Sequence, residues 1–339
     1  MSGRNHTTEE VLQHTESLTR DNGKPGGRPK KRLNLATREA LWAYVFLLIP
    51  LIFFLAIRIW PAIQSFLLSL QTWHVNPEMR EFIGLKYYKE MFATPRLRQA
   101  LLNTLLYAAL TVPGQIIVGL IMALLLNSIT RFRGFFRAIF FAPYITPAVA
   151  VAWVWGWMYN VNFGIINTFL IELEELLRGW GWIGENVDFT QRFLTSPKQA
   201  LGSIAVVIIW QYVGFQVVIL LAGLLGIPRA YYEAARIDGA NGWQIFWRIT
   251  LPLLNPVLLF SVVISTITSL QLFDQIVNIN FQDQGGPLGS TRSIAVYMYQ
   301  EAFERARLGY AAAVTVLLFA IILVITLIQM RFLNTKVEY

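Results

Sequence analysis

The residues best suited to act on another molecule fall into two groups. One is the run Glu233-Ala-Ala-Arg-Ile-Asp-Gly-Ala240, followed by Phe246 and by Ile249-Thr-Leu-Pro252. Glu233 and Asp238 could meet a basic partner, and Ala234 and Ala235 are small enough for another surface to approach closely. Gly239 permits a sharp backbone reversal. Ile227-Pro228 closes the preceding apolar run, and Pro fits the first turn of a helix. Tyr231–Ile237 favours helix, and Trp243, Phe246, Trp247 and Thr250 recur at helical spacing. The expected product is a helix–turn–helix over 228–252, with Leu251 and Pro252 opening the next apolar run. The second group is polar and aromatic, set inside apolar stretches: Gln211, Tyr212, Phe215 and Gln216, then Ser261, Ser265, Ser269 and Gln271, with Asp274 beyond. The three serines are spaced by four and share a helical face. Hydroxyls and amides beside aromatic rings suit a sugar, which presents hydroxyls and apolar C–H faces. The competing use is helix–helix packing, where Ser and Thr are common.

Other chemistry is excluded by composition. The chain has no cysteine, so thiol catalysis, thiolate metal sites and disulfides are ruled out. Two of its three histidines, His6 and His14, lie in a polar tail, which disfavours a metal site. No Gly-x-x-x-x-Gly-Lys-Ser/Thr segment is present to cradle ATP.

The elements that must position these groups are membrane spans. Only 14% of the 339 residues are charged and 55% are hydrophobic, against about a quarter charged in soluble domains. Crossing a bilayer takes about 20 apolar residues, and six stretches qualify: Leu41–Trp60, part of the 32 charge-free residues Gln99–Thr130, the early part of Ala138–Ile171, Gln199–Pro228, Ile249–Phe273 and Leu308–Met330. The expected fold is all-α and integral to the membrane. If the N-terminus is cytoplasmic, the inner segments 1–40, 127–137, 227–248 and 331–339 hold 16 of the 28 basic and 8 of the 20 acidic residues. The whole net charge of +8 then lies inside, which favours both termini inside. Segment 72–100, with Arg80, Lys86, Lys89, Arg96 and Arg98, runs against that trend.

Residues 1–36 are polar and rich in Gly, Pro and basic residues, so a disordered tail is expected before a domain over 37–339. Lys30–Arg38 reads as a topology anchor, not a nucleic-acid patch. A signal peptide is not expected, because the apolar run begins late and is too long. Phe82, Leu85, Tyr88, Met91 and Phe92 are spaced for one face of a short surface helix over Phe82–Leu97. Trp180 and Trp182, among Gly179, Gly181 and Gly184, suggest a folded outer loop at the lip of the membrane.

The 233–252 run resembles the EAA motif of ABC importer permeases, in the complete order E-A-A, D-G-A, F, I-x-L-P. The resemblance extends from about Leu41 onward. Phe82-Ile-Gly-Leu-Lys-Tyr-Tyr88, Leu101-Leu-Asn-Thr104, Arg137-Ala-Ile-Phe-Phe-Ala-Pro-Tyr-Ile-Thr-Pro147, Trp155, Gly164-Ile-Ile-Asn167, Phe273-Asp274, Gly285-Gly-Pro287, Thr291 and Gly309-Tyr-Ala-Ala-Ala313 look like carbohydrate-uptake permeases, closest to the first of a pair of the maltose and glycerol-phosphate type. It departs before Gly285, where Asn278–Gln284 is longer and more polar than the family's pattern.

What the resemblance implies is a six-span, N-in/C-in permease of the type I ABC importer fold in a prokaryotic inner membrane. Glu233, Ala234, Ala235, Asp238, Gly239, Ala240, Phe246, Leu251 and Pro252 would form the coupling loop seated in an ATPase subunit. Gln211, Tyr212, Phe215, Ser265, Ser269 and Gln271 would line the substrate path. The partners implied are a second six-span permease, a cytoplasmic ATPase dimer and an extracytoplasmic sugar-binding protein. This chain would bind no cofactor and no metal and have no catalytic residue; ATP and Mg would sit on the partner ATPase. The substrate implied is a di- or oligosaccharide or related polyol, with glycerol-phosphate, then amino acids or peptides, as alternatives. A secondary transporter or channel would need intramembrane charges for ion coupling, and Arg58 and Asp274, near span ends, serve poorly. A membrane-embedded enzyme would need a nucleophile, base or metal cluster at depth, and the spans contain no His or Cys.

Overall fold

Within hydrocarbon every backbone polar group must be satisfied internally, so the apolar runs fold as helices. The computed structural model describes residues 35–129, 131–182, 184, 186–279 and 284–333. Residues 1–34 of the expected tail and 280–283 of the polar stretch before Gly285 lie outside the described residues. The chain divides into two units, 1–61 and 62–339. The described part of the first is α1 (Leu35–Phe54) with a π-turn at Leu55–Ile59, and α2 (Trp60–Leu68) follows.

The second unit continues with α3 (Lys86–Ala93), α4 (Pro95–Ser128), α5 (Arg133–Ile145), α6 (Ala148–Met158), α7 (Ile165–Gly179) and α8 (Ala200–Gly226). Then come α9 (Arg229–Ile237), α10 (Gly242–Ile245), α11 (Leu251–Leu270), α12 (Asp274–Ile279), α13 (Ile294–Tyr299) and α14 (Leu308–Leu333). Among the described residues, five helical stretches are long and apolar enough to cross a membrane: Trp42–Leu68, Pro95–Ser128, Ala200–Gly226, Gly242–Leu270 and Leu308–Phe332. A sixth exists only if α5 and α6, bent by 92° against each other, count as one span. The third span expected in the early part of Ala138–Ile171 is therefore not one continuous helix but two helices meeting at this bend. Pro147 lacks the N–H that would carry the helix through and pushes Thr146 out of the helical region. Thr146 is accordingly extended, at ψ 133°.

The surface helix expected over Phe82–Leu97 forms only at α3; Thr94 is extended and Pro95 opens α4. Met91 is buried and Tyr88 is half-buried against the same cluster, its hydroxyl 2.7 Å from Ser69 Oγ, while Phe82, Leu85 and Phe92 are exposed. Charge completes its attachment. Glu301, 2% exposed, pairs with Arg305 and Arg307, and Arg307 reaches Glu90 on α3. The Arg307 guanidinium also lies 4.3 Å from the centre of the Tyr310 ring, a favourable cation–π geometry.

Helix α8 organises the core. Ile204, Val207 and Ile208 pack with Tyr107 of α4, Val151 and Ala152 of α6, and Ile276 of α12. Nearer its C-terminus Val217, Leu220, Leu221 and Leu224 pack with Ala123, Leu126 and Leu254. The approach of α5 is so close that a Cβ on Gly214 would stand 1.9 Å from the Phe140 carbonyl oxygen.

Candidate functional site: the α9 turn and the polar interior

At the C-terminal end of α8, Pro228 turns the chain into α9. This short helix is two-sided. Tyr232 and Ala235 face the protein, and Thr250 Oγ1 donates to the Tyr232 hydroxyl at 3.4 Å. Glu233, Ala234, Arg236 and Ile237 are exposed. The two alanines therefore differ: Ala235 supports the helix from beneath, and Ala234 lies on its open side. Asp238, exposed, caps the helix C-terminus. Gly239 then takes φ +79°, with its N–H donating to Arg236 O at 3.1 Å and that of Ala240 to Ala235 O at 2.9 Å. This pair of bonds is a Schellman ending, which needs a left-handed residue at the glycine position.

Asn241 starts the next helix. Its Oδ1 accepts from the Gln244 N–H and Gln244 Oε1 accepts from the Asn241 N–H, both at 2.9 Å, satisfying two end donors reciprocally. The separate second helix expected before Pro252 is corrected here. α10 runs through a π-turn at Phe246–Thr250 into α11 as one stretch, Gly242–Leu270. Proline at 252 cannot donate to the carbonyl four residues earlier and crowds it; the wider π-turn absorbs that defect. Phe246 and Leu251 are half-buried in this segment, and Pro252 is exposed. Sequence reading passed over Ile237, which is 86% exposed and projects beside Asp238. Its spacing of four from Glu233, which puts both on one face, was the available signal.

The polar residues of α8 and α11 divide by exposure. Ser265 is buried, accepts from Gln216 Nε2 at 2.6 Å and donates to Gln115 Oε1 at 3.1 Å, joining α4, α8 and α11. Ser269 is buried against Thr111 of α4, with 2.7 Å between the hydroxyls. Gln211 is buried too: its Nε2 donates to the Thr146 carbonyl at the bend, at 3.3 Å, and its Oε1 accepts from Gln275 Nε2 at 2.9 Å. These three side chains hold helices to one another. Tyr212 and Phe215 are half-buried, and Gln271, at the end of α11, is exposed. Tyr144, in α5 just before the bend, lies 5.1 Å from Phe215 and 5.9 Å from Tyr212 between ring centres. The sequence placed Tyr144 only within a motif; the bend is what brings its ring to α8.

Residues 115–339 match the binding-protein-dependent transport system inner membrane components. The chain belongs to this family. A probable ABC transporter permease protein of Pyrococcus horikoshii is 33% identical to it over 84% of this chain and 92% of that protein. The lactose transport system permease protein of Rhizobium radiobacter is 33% identical over 85% of this chain and 92% of its own length. A chain of a bacterial alginate ABC transporter, solved in complex with a periplasmic protein holding an alginate pentasaccharide, superposes with a TM-score of 0.72 at 25% identity, over 88% of this chain and 98% of that chain. In this transport component α8 connects the two candidate regions: Gln211, Tyr212 and Phe215 lie along it, and the α9 turn hangs from its end.

Proposed function

We propose that this inner membrane component is the non-catalytic permease subunit of an ABC importer for a carbohydrate, a di- or oligosaccharide or related polyol. It crosses the cytoplasmic membrane of a prokaryote six times, counting α5 and α6 together, with both termini inside. The feature that carries the reading is the α9 turn. It is a short helix ended by a fixed glycine reversal and a reciprocal cap, supported from beneath by Tyr232 and Ala235, and it leaves Glu233, Ala234 and Ile237 open. Such a knob suits the groove of a separate ATPase: Glu233 meets a basic side chain, Ala234 allows close approach and Ile237 fills an apolar pocket. Closure of an ATPase dimer would pull α9, and with it the continuous α10–α11 stretch, switching the cavity from inward-open to outward-open.

Carbohydrate as the cargo is supported by the lactose and alginate systems of the relatives and by the rings of Tyr144, Tyr212 and Phe215, which offer faces for sugar C–H groups. Gln271 adds an accessible amide. Gln211, Ser265 and Ser269 serve this path by fixing the helices that frame it. A second permease completes the pathway, and an extracytoplasmic binding protein delivers the sugar. The test is gentle extraction of the tagged chain from its native membrane. The expected result is stoichiometric recovery of an ATPase and a second six-span protein, with sugar uptake in vesicles that needs ATP. Recovery of the chain alone, with uptake that runs without ATP, overturns the reading in favour of a secondary transporter.

A further inference from the structure

Helix α7 buries two polar side chains and leaves several large apolar ones in the open. Asn167, 1% exposed, and Glu174, 8% exposed, point into the protein. Phe169 at 62% and Trp182 at 74% point away from it, with Ile165, Leu176 and Trp180 also exposed. The inward polar groups are fully engaged. Asn167 Nδ2 donates to the Gln191 carbonyl at 3.0 Å and its Oδ1 accepts from the Gln191 N–H at 2.9 Å. Glu174 Oε2 accepts from the Phe189 N–H at 2.8 Å, and Arg178 pairs with Glu174 while donating to the Val187 carbonyl at 3.1 Å. The segment from Val187 to Gln191 thus clamps one face of α7 and fixes which face is open.

That open face is itself divided. Ile165, Phe169, Leu176 and Trp180 form one line at spacings of four, seven and four, and Thr168, Glu172 and Glu175 form a polar line beside it. Adjacent apolar and charged lines on one exposed face are what a helix lying in the plane of a bilayer interface requires. Tryptophan concentrates at that depth because its ring is apolar and its N–H is polar. Position agrees. α7 follows the bent pair α5–α6, whose last turn exposes Trp157, and precedes the membrane-spanning α8. It therefore sits at the opposite end of α8 from the α9 turn.

We propose that α7 is a membrane-interface anchor whose partner is the bilayer itself, with Phe169, Leu176, Trp180 and Trp182 seated at the headgroup–acyl boundary and Glu172 and Glu175 turned to water. The chain has no cysteine, so each single-cysteine variant carries one labelling position in this subunit, and the partner subunits are used in cysteine-free form. Phe169→Cys, Trp180→Cys and Glu175→Cys, with the exposed Glu78→Cys, away from the α9 turn, as a water-exposed reference, are labelled with a nitroxide in the intact transporter. The complex is placed in vesicles of phosphatidylcholine and phosphatidylglycerol, and collision with oxygen and with a water-soluble nickel chelate is measured.

The expected outcome is a ratio of oxygen to chelate collisions several-fold higher at 169 and 180 than at 175 and 78, placing the labels about 5–10 Å below the headgroup surface. Chelate access at 169 and 180 equal to that at 78 overturns the proposal. Shielding of 169 and 180 from both reagents overturns it as well, since a protein then covers the face; shielding that appears only when the binding protein is added identifies that protein as the occupant. A variant that does not extract as a single species is replaced by Ile165→Cys or Leu176→Cys on the same line.

Discussion

The α9 turn and the serine face of α11 both set side chains four residues apart on one face, Glu233 with Ile237 and Ser261 with Ser265 and Ser269, and use them in opposite senses. In α9, Glu233 and Ala234 are held outward by a helix whose other side is already packed. In α11, Ser261, Ser265 and Ser269 share a face, yet all three are buried, and Ser265 and Ser269 bond to α4 and α8. Spacing says which residues share a face; only packing says what that face meets. The serine face therefore belongs to the framework, and the α9 face stays exposed, as the proposed docking to an ATPase requires.

The largest expected effect tests the outward half of this contrast. Glu233→Lys replaces an exposed carboxylate with the wrong charge at the centre of the proposed docking surface. Loss of one partner in a desolvated charge pair costs about 2–5 kcal/mol, enough to lower ATP-driven uptake roughly 30-fold or more. Because Glu233 makes no contact that its own fold depends on, membrane insertion and thermal unfolding of the isolated chain should not change. Near-normal uptake in the variant would remove α9 from the coupling role.

Much of the framework was legible because its signals are local. Apolar run lengths gave the spans, and Pro228, Gly239 and the Glu233–Ala240 run marked the turn. The bend was half legible: Pro143 and Pro147 stand in the sequence, but a 92° angle depends on where α6 packs. The division between Ala234 and Ala235, the burial of Gln211 and the arrival of Tyr144 beside Phe215 were not legible. Each depends on which face of α8 or α9 a neighbouring element covers, and for Gln211 and Phe215 that is set by Thr146 and Tyr144, more than 60 positions away. The outward apolar line of α7 was hidden for a related reason. Its pattern reads as an ordinary amphipathic helix until the clamp from Val187 to Gln191 shows which side is taken.

The inward half of the contrast is tested by Ser265→Ala. The substitution leaves Gln216 Nε2 and Gln115 Oε1 buried without that partner, and a buried polar group stripped of its bond costs about 1–3 kcal/mol. A lower unfolding temperature of the intact transporter is expected, with the sugar concentration for half-maximal uptake unchanged. The opposite pattern, normal unfolding and a raised half-maximal concentration, would move Ser265 to the substrate path and erase the distinction between the two faces.

Ser269→Ala sharpens the same point at the smallest scale. Thr111 Oγ1 already donates to the Tyr107 carbonyl at 2.7 Å, so Ser269 is the donor in their shared bond. Alanine removes that donor and leaves Thr111 with its own bond intact; no amide is stranded. Interhelical hydrogen bonds of this kind average about 0.6 kcal/mol in membranes, so the loss should be measurable in unfolding and invisible in transport. An effect on unfolding as large as that of Ser265→Ala would mean that the hydroxyls act as one coupled ladder, and the framework would then have to be treated as a single cooperative network along α11.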